Sequence, residues 1–148
     1  MTAAELVRHR LLEITDVTDL VSTRVYTLLV RPGTTMPCVR VQTISDTEPM
    51  HLRGSSGLHQ ARVQVDAMAS VKDGGDALAD ARDVAAAAHG PGDATALCGF
   101  AGTVNGSPGV EILAIRPIGG PVELYHGEEQ EYVTVTYDYA VDYRESLM

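Results

Sequence analysis

The run ARVQVDAMAS, residues 61–70, decides the fold. Val63, Val65 and Ala67 alternate with Arg62, Gln64 and Asp66, and strict alternation over this length is the signature of a half-buried strand. Its apolar members are expected to face a core and its polar members, Arg62, Gln64 and Asp66, to form an exposed row. Such a row is free to be a contact surface or only the wet side of a sheet.

The stretches around it complete the layer. Upstream, 37–45 reads as a strand with Val39, Val41 and Thr43 on one face and Arg40, Gln42 and Ile44 on the other. The connection DTEPMHLRGSSGLHQ, 46–60, reads as a loop well beyond the usual hairpin length of about 2–5 residues, and the two strands it joins are expected to be antiparallel. Near the C-terminus, in 131–145, Val133, Val135, Tyr137, Tyr139, Val141 and Tyr143 share one face, and Thr134, Thr136, Asp138 and Asp142 the other. Strands are also expected at 23–30, near 95–104 and at 109–118.

Two amphipathic helices supply the cover. Thr2 and Glu5 form a capping box ahead of Leu6, Val7, Leu11 and Ile14, whose spacing makes one apolar stripe. DVTDLVS, 16–22, reads as a turn or a short extra helix. Asp76 caps a helix over 77–89, in which Leu78, Ala81, Val84, Ala85 and Ala88 share a side, and Gly90-Pro91-Gly92 ends it. The fold class is therefore α+β: a mostly antiparallel β-sheet with two amphipathic helices packed on one face. At 148 residues the chain is expected to be one domain, 1–148, carrying the long loop at 46–60.

The composition excludes several functions. A net charge of −9, from 20 acidic and 11 basic residues, is the wrong sign for gripping phosphate, so direct nucleic-acid binding is not expected. No apolar run approaches the roughly 20 residues of a membrane-spanning helix, and the first residues lack the pattern of a signal peptide, which points to a cytosolic setting. Cys38 and Cys98 read as buried small residues rather than a disulfide or metal pair. The histidines, His9, His51, His59, His89 and His126, lack metal-ligand spacing, RGSSG is no nucleophile elbow, and KDGGD and GTVNGSPG lack the lysine of a phosphate loop. Glu128, Glu129 and Glu131 crowd a turn that reads as a solvated tip rather than a general acid/base pair, which would need one member desolvated. No catalytic residue, cofactor or metal is expected.

With these elements laid out, the chain resembles the tail-terminator (tail-completion) proteins of long-tailed bacteriophages and gene transfer particles. The resemblance rests on STRVYTLL (22–29) after the first helix, MPCVRVQTIS (36–45), RVQVDAMAS (62–70) leading into an amphipathic helix, and YVTVTYDYAVDYRE (132–145). It departs from the family at Met68, where an aromatic residue is common. It implies a structural virion protein, assembled in the host cytoplasm and located at the head–tail junction. Such proteins form a hexameric ring that caps the head-proximal end of the tail tube, stops its growth and docks onto the head's connector. The implied partners are further copies of the chain, the tail tube protein and a connector or stopper protein, with DNA passing through without specific binding.

Contact residues are expected in the 46–60 loop, at Met50, His51, Leu52, Arg53 and Leu58, because apolar groups in a long loop need something to bury them. Arg62, Gln64 and Asp66 of the polar row, and Tyr125 and Tyr132 beside the acidic turn, are further candidates. Two other readings stay open: a head-side neck stopper or adaptor, and a small cytosolic α+β enzyme or ligand-binding domain. The enzyme reading requires a pocket that gathers residues such as His59, Arg62 and Asp66.

Overall fold

A computed structural model describes residues 2–31, 33–48, 50–51, 54–55, 57–71, 76–106, 108–127 and 131–145. The elements are α1 (Ala3–Leu11), α2 (Thr15–Val21), β1 (Val25–Thr27), β2 (Cys38–Thr47), β3 (Met50–His51), β4 (Gly54–Ser55), β5 (Leu58–Ser70), α3 (Ala77–His89), β6 (Val110–His126) and β7 (Tyr132–Glu145). Five strands form one sheet in the order β1-β2-β5-β7-β6, antiparallel except for the short β1–β2 pair.

The helices form where the local signals place them. Thr2 Oγ1 accepts from the Glu5 backbone N–H at 3.2 Å while the Glu5 carboxylate accepts from the Thr2 N–H at 2.8 Å, which satisfies two donors that the first turn leaves open. Asp76 does the same for Ala79 at the start of α3. At the other end of α3, Gly90 has φ +73°, and a Cβ there would lie 2.5 Å from the Ala96 side chain. Glycine alone fits both the backbone and the space.

Val39, Val41, Val63, Val65, Ala67, Val135, Tyr139, Val141 and Tyr143 point to one side of the sheet and are buried there. Leu6, Val7 and Leu11 of α1 and Ala81, Val84, Ala85 and Ala88 of α3 complete that core. The small side chains of α3 let its backbone lie close to β5 and β7. α2, the short extra helix, packs against α3 and buries Val17 and Val21.

Four expectations change. The expected strand over 23–30 is formed only over Val25–Thr27, because Leu28 takes φ +65°, a conformation that breaks the strand ladder. The 46–60 loop is mostly strand. A bulge between Thr43 and Ser45 restores pairing, so that Asp46 opposes Ala61 and Thr47 opposes Gln60, and the remaining connection holds the two-residue strands β3 and β4.

The segment near 95–104 is not a strand of the sheet. Its backbone instead folds back on the end of α3, with Leu97 N–H on the Ala88 carbonyl and Cys98 N–H on that of His89. It then touches β6 through the Gly99 N–H on the Ile115 carbonyl and the Gly102–Ile112 bridge, and Gly99 and Gly102 at positive φ make that path possible. Finally, β6 runs eight residues beyond the expected 118, to His126, carried through Pro117, Gly119 and Gly120 by successive register shifts.

Candidate assembly surfaces

On the side of the sheet away from the helices, directly opposed residues form rows that cross four strands. Cys38, Met68, Thr134 and Leu124 make one row, and Arg40, Asp66, Thr136 and Val122 the next. The polar row expected to be exposed divides at Asp66, which is only 1% exposed. Its Oδ2 accepts from Arg40 Nε at 2.8 Å and from Gln42 Nε2 at 3.2 Å, and Arg40 NH2 lies 2.8 Å away as an ion-pair contact. Its Oδ1 accepts from Gln64 Nε2 at 3.0 Å and Thr136 Oγ1 at 2.6 Å.

The correction has a physical reason. A carboxylate in mid-strand has donors on both neighbouring strands, and the side chains that satisfy it also cover it. A sequence signal existed: aspartate is disfavoured in strand interiors, and Arg40 stood in the adjacent strand at matching phase. Gln64 is half-buried as part of the same network, while Arg62 is exposed and paired with Asp138 Oδ2 at 2.6 Å.

Two more arginines, on β6 and β7, have carboxylate partners, Arg116 with Asp142 at 3.5 Å and Arg144 with Glu111 at 2.9 Å. The face is thus a ladder of internally compensated ion pairs. Compensation there means that the acidic excess sits elsewhere, for example on exposed Asp16, Asp19, Asp80, Asp83 and Asp93 of the helical layer.

The remaining contact candidates scatter. Met50 and His51 lie on β3, and Leu52 and Arg53 lie outside the described residues. Leu58 is half-buried at the start of β5, opposite Arg144. Tyr125 is 62% exposed on β6, whereas Tyr132 is half-buried and stacks on His126 with ring centroids 4.5 Å apart.

The three residues that the enzyme reading needed together are not brought together. His59 has odd phase on β5 and points to the helix side, opposite to Arg62 and Asp66. There it stacks on Tyr143 at 4.6 Å, and its Nδ1 bonds Asp46 Oδ1 at 2.9 Å. Its Nε2 lies 2.9 Å from Glu48 Oε2 and 3.6 Å from Glu145 Oε2, close enough for ion pairing but off the hydrogen-bond direction. Tyr143 donates to Asp46, and burial followed by that acidic neighbourhood pushes its phenol well above the usual tyrosine range. These groups tie the ends of β2, β5 and β7 together.

A second cluster joins the end of α3 to β7, with Tyr139 buried and His89 and Tyr137 half-buried. His89 Nδ1 lies 2.7 Å from Tyr139 Oη, and the ring stacks on Tyr137 at 4.3 Å. Burial lowers the His89 pKa and raises that of Tyr139 far above its ordinary value. Cys38 and Cys98 are both buried free thiols; burial pushes Cys38 up to about 11 against the pull of Arg24 and Arg40, and pushes Cys98 up as well. Raised thiols are poor nucleophiles and poor metal ligands. Among the described residues no group of three or more histidine, cysteine, aspartate or glutamate side chains is placed to hold a metal, and no helix there is long and apolar enough to cross a membrane. A groove of about 460 Å³ between Glu13, Asp16, Ala86, Pro91 and Thr95 is open and carries no histidine or cysteine.

The prominent surfaces are therefore a compensated sheet face and an exposed apolar margin on β6, which suit contact with other proteins. Over residues 5–100 the chain matches the family described as Tail completion protein gp17, and it belongs to that family, whose members are structural proteins of phage tails. No curated protein matches the sequence. Among solved structures, a chain from the virion of native gene transfer agent (GTA) particle is similar, with 16% identity over 95% of this chain and 94% of that one and a TM-score of 0.47.

Proposed function

We propose that the protein is the tail terminator of a long-tailed phage or gene transfer particle: a ring, most simply a hexamer, that caps the head-proximal end of the tail tube. It ends tube polymerisation and presents the surface on which the head connector docks. The observation that carries this reading is the family match, which runs from within α1 to beyond α3 and takes in the whole of β5. The charge distribution supports it. The arginines of the sheet face are held by carboxylates, so a ring of such subunits offers no bare arginine row to DNA from that face.

Negative-stain images of the purified protein, alone and with tail tubes, test the reading. A ring seated on one tube end is expected, and loss of the gene is expected to give tails of uncontrolled length. Rings found on the head portal in the absence of tails would instead make it a head-side stopper. Normal tails without the gene would overturn both readings.

A further inference from the structure

The two edges of the sheet differ in a way that assigns them to each other. Along the first half of β6 the outer backbone edge is covered: Gly99 N–H bonds the Ile115 carbonyl at 3.0 Å, and Gly102 and Ile112 exchange two bonds at 2.8 Å. Beyond Ile115 that edge takes no further backbone partner among the described residues. Along this bare half, Ile118, Val122, Leu124 and Tyr125 are all about half exposed or more, with Leu124 at 52%. A long bare edge carrying apolar side chains is a recognised site of association. Pro117 and Pro121 lack N–H groups, which opposes addition of a simple extra strand and leaves carbonyl oxygens in excess.

The opposite edge offers the complement. Just after β1, Leu28 and Leu29 are 70% and 66% exposed. Arg10, Arg40, Arg62, Arg82, Arg116 and Arg144 each pair with a carboxylate. The described arginines without such a partner are Arg8, Arg24 and Arg31, and all three lie at the β1 edge. Arg8 Nε caps the Val25 carbonyl at 2.8 Å and Arg24 Nε the Pro37 carbonyl at 3.0 Å, while Arg31 is exposed two residues past Leu29.

We infer that copies of this chain meet head to tail through these edges: the bare half of β6, from Arg116 to His126, rests on the β1 corner of the next copy. The leucines cover its apolar side chains, and the guanidinium groups of Arg24 and Arg31 donate to its spare carbonyls and to Glu131 beside it. Because the two patches are different and sit on opposite edges of one sheet, the contact is heterologous, the type that closes a ring rather than a two-fold dimer. The inference rests on the ring reading proposed above and adds the surfaces that build it.

Edge-blocking variants test it. Leu124→Lys spoils the β6 edge and Leu29→Asp the β1 corner; both sites are exposed, so unfolding transitions close to that of the wild type are expected. By sedimentation velocity the wild type is expected to form rings and each variant alone to remain monomeric. Mixed, the two variants are expected to give one-to-one dimers that grow no further, since one good edge survives on each partner. Arg31→Glu, which removes no apolar surface, is expected to weaken ring formation in a salt-dependent way. Wild-type rings with variants that still form rings overturn the edge assignment and leave the ring reading standing. A wild type that stays monomeric at every concentration, alone and on tail tubes, overturns both.

Discussion

Replacing Asp66 probes the buried polar row directly. Asp66→Ala removes a carboxylate that accepts four hydrogen bonds, one from each of four side chains, and ion-pairs with Arg40, and it leaves Arg40, Gln42, Gln64 and Thr136 facing a void. Breaking a buried ion pair from one side costs about 3–5 kcal/mol. Arg40 keeps 29% of its side-chain surface in solvent, so water can take over part of its hydrogen bonding and the lower end, about 3 kcal/mol, is expected. For a domain of this size that corresponds to a melting temperature lower by about 6–12 °C.

Asp66→Asn is gentler. The Thr136 hydroxyl can rotate and Gln64 can turn its amide to accept from the new Nδ2, while the remaining oxygen stays on Arg40. Exchanging charged for neutral hydrogen bonds then costs about 1 kcal/mol. Urea titrations followed by circular dichroism measure both, and a double-mutant cycle with Arg40→Ala is expected to show a coupling of about 1 kcal/mol or more. If Asp66→Ala stays within about 0.5 kcal/mol of the wild type, as a surface substitution does, the carboxylate is solvated and the reasoning fails.

Three further outcomes are expected. His89 has a pKa lowered by burial, so below the ordinary histidine pKa of about 6.5 the unfolded chain binds a proton that the folded chain refuses; stability falls as pH drops from about 7 to 5, and His89→Gln flattens that slope in urea titrations at each pH. Tyr139 and Tyr143 have raised pKa values, so their contribution is intact below the unfolded tyrosine pKa of about 10 and is lost above it; ultraviolet titration is expected to show both ionising only as the protein unfolds in alkali. Gly90→Ala forces a Cβ into a positive-φ site 2.5 Å from the Ala96 side chain and is expected to cost about 2 kcal/mol, whereas Gly33→Ala, with nothing within 4 Å, bears only the backbone strain; comparing their thermal melts separates the clash from the strain.

Local rules were enough for the helices and the central strands. The capping box at Thr2 and Glu5, the Asp76 cap and the alternation in 61–70 and 132–145 are read from neighbours in the chain, and each element forms where those neighbours place it. The two ladders β2–β5 and β5–β7 follow, because a one-residue slip in β5 would turn its valines to the wrong face.

The margins of the sheet were not legible in this way. How far β6 runs depends on bulges at its glycines and prolines, whose pairing is chosen by β7, and 95–104 forsakes the sheet because α3 offers it backbone partners. The family resemblance needed only the pattern of the central elements, which local sequence supplies. The surfaces proposed for assembly lie at those margins.

Asp66 shows the division most plainly. Chain phase alone put it on the helix-free face, where it is. Whether that position is wet or dry was set by Arg40, 26 residues away, and Thr136, 70 residues away, which approach it only when β2, β5 and β7 pair. Periodicity depends on the covalent chain and can be read from it, whereas burial and charge compensation depend on which strands become neighbours, and only the tertiary structure decides that.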